Sequence, residues 1–129
     1  MASSSRDSVS LRRDSSAPHL RGASRYAGEL TDWGPVPTPI EGASHTSGVL
    51  LHKAPDEGGE AGLWVCTPGL WPCYVTRDEL CHFLEGRCTY THESGDVIEI
   101  EPDTEAFFPS GWKGTCRVQE TIRKVYMVR

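Results

Sequence analysis

Nine short apolar or alternating runs, VLLHKA, GLWVCTPG, CYV, ELCHFLEG, RCTYTHESG, DVIEIEP, EAFFPSG, TCRVQE and IRKVYMVR, fill the chain from Val49 onward, separated by Gly, Pro and acidic pairs. Segments this short, recurring every eight to twelve residues or so, leave no room for crossover helices and predict an all-β sandwich or barrel. Within DVIEIEP, Ile98 and Ile100 alternate with Glu99 and Glu101, the two-residue period of a half-buried strand. One stretch competes: in TRDELCHFLEG, Thr76 and Glu79 imitate a capping box, and Leu80, Phe83 and Leu84 have helical spacing. A helix of two or three turns and a strand both stand there.

Upstream the composition changes. Residues 1–28 hold eight Ser and five Arg with few large apolar groups, too little to offset the entropy of ordering, so a flexible basic arm is expected before a folded domain over 29–129. An Arg-rich, Ser-rich start also suits an organelle-targeting segment, although Asp7 and Asp14 interrupt that pattern. No window approaches the roughly 18 apolar residues that span a bilayer, and no apolar signal run opens the chain, so a cytoplasmic, non-membrane protein is expected. In WGPVPTPIEGASHTS, prolines 35, 37 and 39 forbid a helix and predict an extended segment anchored by Trp33 and Ile40.

Charge and cysteine narrow the function. Residues 29–129 carry eight Lys or Arg against sixteen Asp or Glu, an acidic balance that disfavours nucleic acid as a partner. The five cysteines, Cys66, Cys73, Cys81, Cys88 and Cys116, include no CxxC pair and are odd in number, which points to reduced thiols and away from a zinc knuckle or a disulfide framework.

From ELCHFLEG to the C-terminal IRKVYMVR the sequence resembles the small cupins of the ethanolamine-utilisation and ureidoglycine-aminohydrolase type, in the RmlC-like cupin superfamily: an LEG strand, a Pro-x-Gly turn and a terminal Arg-Lys-x-Tyr strand occur in that order. The likeness begins near Trp33. It implies a cupin β-barrel, the double-stranded β-helix or jelly roll, preceded by an extended N-terminal arm. It also implies a homodimer; the proline-rich segment, expected to lie across its own domain's surface or across the partner, is a candidate cover for a neighbouring subunit's sheet edge.

Cupins carry two motifs, G-x5-H-x-H-x3or4-E-x6-G and G-x5-P-x-G-x2-H-x3-N. Glu79 and Gly86 fix the register of the first, whose histidine places then fall on Cys73 and Val75, or on Pro72 and Tyr74 with the longer spacer. In the second, Pro109 and Gly111 match, Asp103 stands for the usual Gly, and the histidine place is Gly114. The resemblance thus implies a degenerate metal site in which only Glu79 of four customary ligands survives. Strand parity offers one rescue, a zinc-type site of Cys73, Glu79, Cys81 and Cys116; burial of the same thiols in a narrow barrel is the alternative.

Aromatic and polar groups near the motifs, Trp64, Trp71, Cys73, Tyr74, Cys81, Trp112, Cys116 and Tyr126, are the expected pocket lining, with Trp112 foremost for ligand contact. Glu79 in such a pocket is either protonated or paired, with Tyr74, Tyr126, Lys124 and Arg123 as candidate partners. Three functions follow. One is a small-molecule-binding cupin. A second is an enzyme, a hydrolase, isomerase or lyase acting on a small polar nitrogen-containing or carbonyl metabolite, with Glu79 as acid or base. The third is a partner-binding module that uses the basic arm.

Overall fold

The computed structural model describes residues 9–129. Among these there is no α-helix, only single 3-10 turns at Ala23–Arg25 and Pro55–Glu57. Eleven strands carry the fold: β1 Ser10–Arg12, β2 His19–Arg21, β3 Thr31–Pro35, β4 Glu41–Gly42, β5 His45–Lys53, β6 Glu60–Cys66, β7 Gly69–Tyr74, β8 Glu79–His92, β9 Val97–Ile100, β10 Thr104–Phe108 and β11 Lys113–Val128. The stretch with helical spacing is strand: cross-strand pairing decides it, because Glu79 to Phe83 pair with β10 on one side and with the end of β11 on the other.

All pairings are antiparallel. Two long strands, β8 and β11, run side by side and belong to two sheets at once. One sheet has the order β10, β8, β11, β6, β5, β3; the other is built from β9, β8, β11, β7 and β4. The corner between them lies at Gly86, and it explains why the sequence reads each long strand as two. Buried residues of β8 are Cys81 and Phe83 before the corner and Cys88 and Tyr90 after it, so the two-residue period changes phase. Gly86 has φ 90°, and a Cβ there would lie 2.1 Å from the Thr121 carbonyl oxygen, while the β8–β11 register shifts between Val118 and Lys124. The closing glycine of the first motif is therefore a corner requirement.

The second motif is likewise a turn. Trp112 N–H bonds the Pro109 carbonyl at 3.0 Å with Gly111 at φ 95°, the geometry of a type II turn, and Asp103 takes a left-handed φ of 70° where the motif has Gly.

The proline-rich segment is extended, as expected, and lies on its own chain: β3 pairs with β5, β4 pairs with β7, and Trp33 fills the space above Gly48, while Ile40, the other expected anchor, is exposed. Residues 10–26, expected as part of an unstructured arm, form the β1–β2 hairpin and a 3-10 turn held to the barrel's outer surface. Arg123 donates to the Ala23 and Tyr26 carbonyls at 3.2 and 2.9 Å, and Arg13 donates to the Leu50 carbonyl at 3.0 Å. Val49 and Leu63 are buried, yet they lie outside the interior cluster of Cys66, Phe83, Tyr90, Ile100, Phe108, Cys116 and Ile122. By register they face outward with Val125, beside the bonds that hold residues 23–26. No helix among the described residues is long and apolar enough to cross a membrane.

Candidate ligand cavity

A cavity of about 650 Å³ opens inside the barrel between the two sheets. Its walls are aromatic: Trp33, Trp64, Trp71, Tyr74, Tyr90, Phe108 and Tyr126. Glu60, Arg77, Glu79 and Lys124 supply its charges.

Strand register organises the polar end into rows. Val128 of β11 pairs with Glu60 on β6 and Glu79 on β8; Tyr126 pairs with Gly62 and Cys81; Lys124 pairs with Trp64 and Phe83. Residues two apart on a strand share a face, so Glu60, Gly62 and Trp64 look the same way as Glu79, Cys81 and Phe83. From the lower row Lys124 reaches Glu79, donating from Nζ to Oε2 at 3.0 Å, and its ammonium lies 4.4 Å from the centre of the Trp64 ring. Cys81 donates its thiol hydrogen to the same oxygen at 3.2 Å. From the middle row Tyr126 donates its hydroxyl to Glu60 Oε2 at 2.7 Å.

The environment sets the protonation of these groups. Burial by itself pushes the Lys124 ammonium down, but the Glu79 carboxylate and Cys81 together hold it above its ordinary value. Burial pushes the Cys73 and Cys81 thiols up to about 12, the Cys116 thiol beside Cys73 and the Glu79 carboxylate beside Cys81 adding to the effect. Cys116 is raised by its neighbour Cys88 and by burial. Tyr126 is raised by burial and by its bond to Glu60. Raised in this way, these cysteine side chains are held as thiols at neutral pH.

Of the expected lining residues, Trp64, Trp71, Cys73, Tyr74 and Tyr126 line the cavity together with Glu79. Cys81, Cys116 and Trp112 do not. Cys81 and Cys116 are fully buried beneath the surface, and Trp112, expected foremost, packs edge-on against Phe108 and Tyr90 at 5.3 and 5.8 Å and tilted against His92 at 5.3 Å. The Pro109–Trp112 turn folds the indole back onto the sheet, a direction that spacing along the chain does not encode. Lys124 is the partner of Glu79 among the four weighed, while Arg123 faces outward to Ala23 and Tyr26. Glu60, Trp33 and Phe108 were missed as cavity residues. Trp33 had a signal, an indole upstream of the motifs; the register that sets Glu60 level with Glu79 had none.

A metal is what the cupin motifs imply at this place, and the residues present do not fit one. Among the described residues no group of three or more His, Cys, Asp or Glu side chains is arranged to hold a metal ion. The set Cys73, Glu79, Cys81 and Cys116 is not a ligand cluster: Glu79 is taken up by the Lys124 ammonium, and Cys116 sits with Cys88. A Cβ at Gly114 would lie 2.1 Å from the Thr91 carbonyl oxygen and 2.8 Å from the Trp112 ring, so the second-motif histidine has no space.

A family model described as an EutQ-like cupin domain matches residues 53–126. Among solved structures, the chain is similar to a Pseudomonas syringae protein of unknown function (TM-score 0.72, 21% identity), over 80% of this chain but only 45% of that longer one. It is also similar to the EutQ protein of Clostridium difficile (TM-score 0.56, 16% identity, 66% of this chain and 68% of that one). A putative ethanolamine utilization protein Q from Salmonella typhimurium gives a TM-score of 0.54 at 19% identity, over 67% of this chain and 69% of the other. No curated protein matches the sequence.

Proposed function

Since the chain belongs to the EutQ-like cupin family, we propose that it is a small-molecule-binding cupin whose cavity uses the Lys124–Glu79 ion pair where the cupin motifs would place a metal. The observation that carries this reading is the 3.0 Å contact between Lys124 Nζ and Glu79 Oε2 at the polar end of an aromatic cavity. A lysine ammonium supplies the positive charge that Glu79 would otherwise take from an ion, and its place on the Trp64 face fixes it there. Aromatic walls with a few convergent polar groups suit a small ligand.

The test combines metal analysis with ligand-induced stabilisation. Protein purified without added metal is expected to hold less than about a tenth of an equivalent of zinc, iron or manganese. A ligand at about a hundred times its Kd raises stability by about 2.7 kcal/mol, and Trp71→Ala is expected to reduce that gain. Near-stoichiometric metal, lost on Glu79→Gln, overturns the reading. Turnover of a bound compound that vanishes in Glu79→Gln moves it to the enzyme on a small nitrogen-containing or carbonyl metabolite. On the same reading the assembly is a homodimer, and light scattering is expected to give twice the 14.2 kDa chain mass; a monomer overturns that part.

A further inference from the structure

Glu60 and Glu79 stand in one transverse row on either side of Val128, which places their Cα atoms about 10 Å apart. Their partners differ in charge. Glu79 is neutralised by the Lys124 ammonium, whereas the partner of Glu60 among the described residues is the neutral hydroxyl of Tyr126. The other cation on the lining, Arg77, turns its Nε to the Arg129 carbonyl at 3.1 Å. A carboxylate on the wall of an aromatic cavity is costly without a counter-charge, and a hydroxyl offsets only part of that cost. Above Gly62, which puts no side chain between them, Glu60 shares its face of β6 with Trp64, and Trp33 stands beside Trp64 over Gly48. The Lys124 ammonium shows that this aromatic wall accepts a cation.

We propose that the ligand of this cavity is a small organic cation, an alkyl- or arylammonium, whose charged head bonds the Glu60 carboxylate while its apolar body lies against Trp33. The inference rests on the reading of the cavity as a ligand site and adds the charge of the ligand. An anionic ligand meets the Glu60 charge head-on; a neutral one leaves it uncompensated.

The experiment uses the full chain and three probes of one shape and different charge: benzylammonium, benzyl alcohol and benzoate, titrated against tryptophan fluorescence and by calorimetry. Benzylammonium is expected to bind about tenfold more tightly than benzyl alcohol, with benzoate weakest. Glu60→Gln is expected to bring benzylammonium down to the level of benzyl alcohol without changing the latter. In case that variant folds poorly, the unsubstituted protein in about 0.5 M salt is expected to weaken benzylammonium alone. Benzoate or benzyl alcohol binding as tightly as benzylammonium overturns the cation while leaving the ligand site standing. Binding of none of the three at millimolar concentration overturns both.

Discussion

At Lys124 two opposing effects meet: burial disfavours the ammonium, and the Glu79 carboxylate at 3.0 Å favours it. The second prevails. Lys124→Met, which strands Glu79 in the cavity, is expected to cost about 2–3 kcal/mol in urea denaturation, and adding Glu79→Gln to recover a good part of it. The thiols set a pH dependence of definite sign. Cys66 and Cys73 are raised from 9.0 to about 11 and 12, so their contribution is complete below pH 9 and is lost as pH climbs toward those values. Thermal stability is therefore expected to fall above pH 9, and Cys73→Ala to make the fall shallower by about 1.4 kcal/mol per pH unit. A pH profile unchanged by that substitution contradicts the assignment.

The strands show which sequence signals were local. Alternation in DVIEIEP, and the order of LEG strand, Pro-x-Gly turn and Arg-Lys-x-Tyr strand, are properties of neighbouring residues, and they read correctly as β9, as the Pro109–Trp112 turn and as the end of β11. The helical spacing of Leu80, Phe83 and Leu84 misleads because pairing with β10 and β11, distant in the chain, outweighs local periodicity. Corners are the demanding elements. Gly86→Ala is expected to cost more than about 2 kcal/mol, since its φ of 90° and the Thr121 carbonyl at 2.1 Å both exclude a side chain. Gly114→His, the substitution that restores the motif, is expected to destabilise comparably and to bind no zinc. Calorimetry and metal analysis check both variants.

For the whole molecule, the arm expected over residues 1–28 is described from residue 9 on, its residues 1–8 lying outside the described residues. Its composition argues against a core of its own, and residues 10–26 make none; they are ordered against the barrel, through Arg13, Arg123 and the β1–β2 hairpin. Deleting residues 1–26 is expected to uncover the outward-facing Val49 and Leu63, to lower stability by about 2–4 kcal/mol and to create a binding site for a hydrophobic dye. An unchanged melting temperature contradicts this.

The sequence by itself determined the fold class, the cupin motifs with Glu79 and Gly86 in register, and that Cys73, Val75 and Gly114 stand at the motifs' histidine places, because strands, turns and residue identities are written locally. Only the tertiary structure decided which side chains meet at Glu79. Lys124 meets Glu79, Glu60 stands level with it across Val128, and Trp112 turns away from the cavity, because each depends on which strands lie side by side and in what register. A register is a relation between segments far apart in the chain, 45 residues between Glu79 and Lys124 and 66 between Glu60 and Tyr126, and no local pattern carries it.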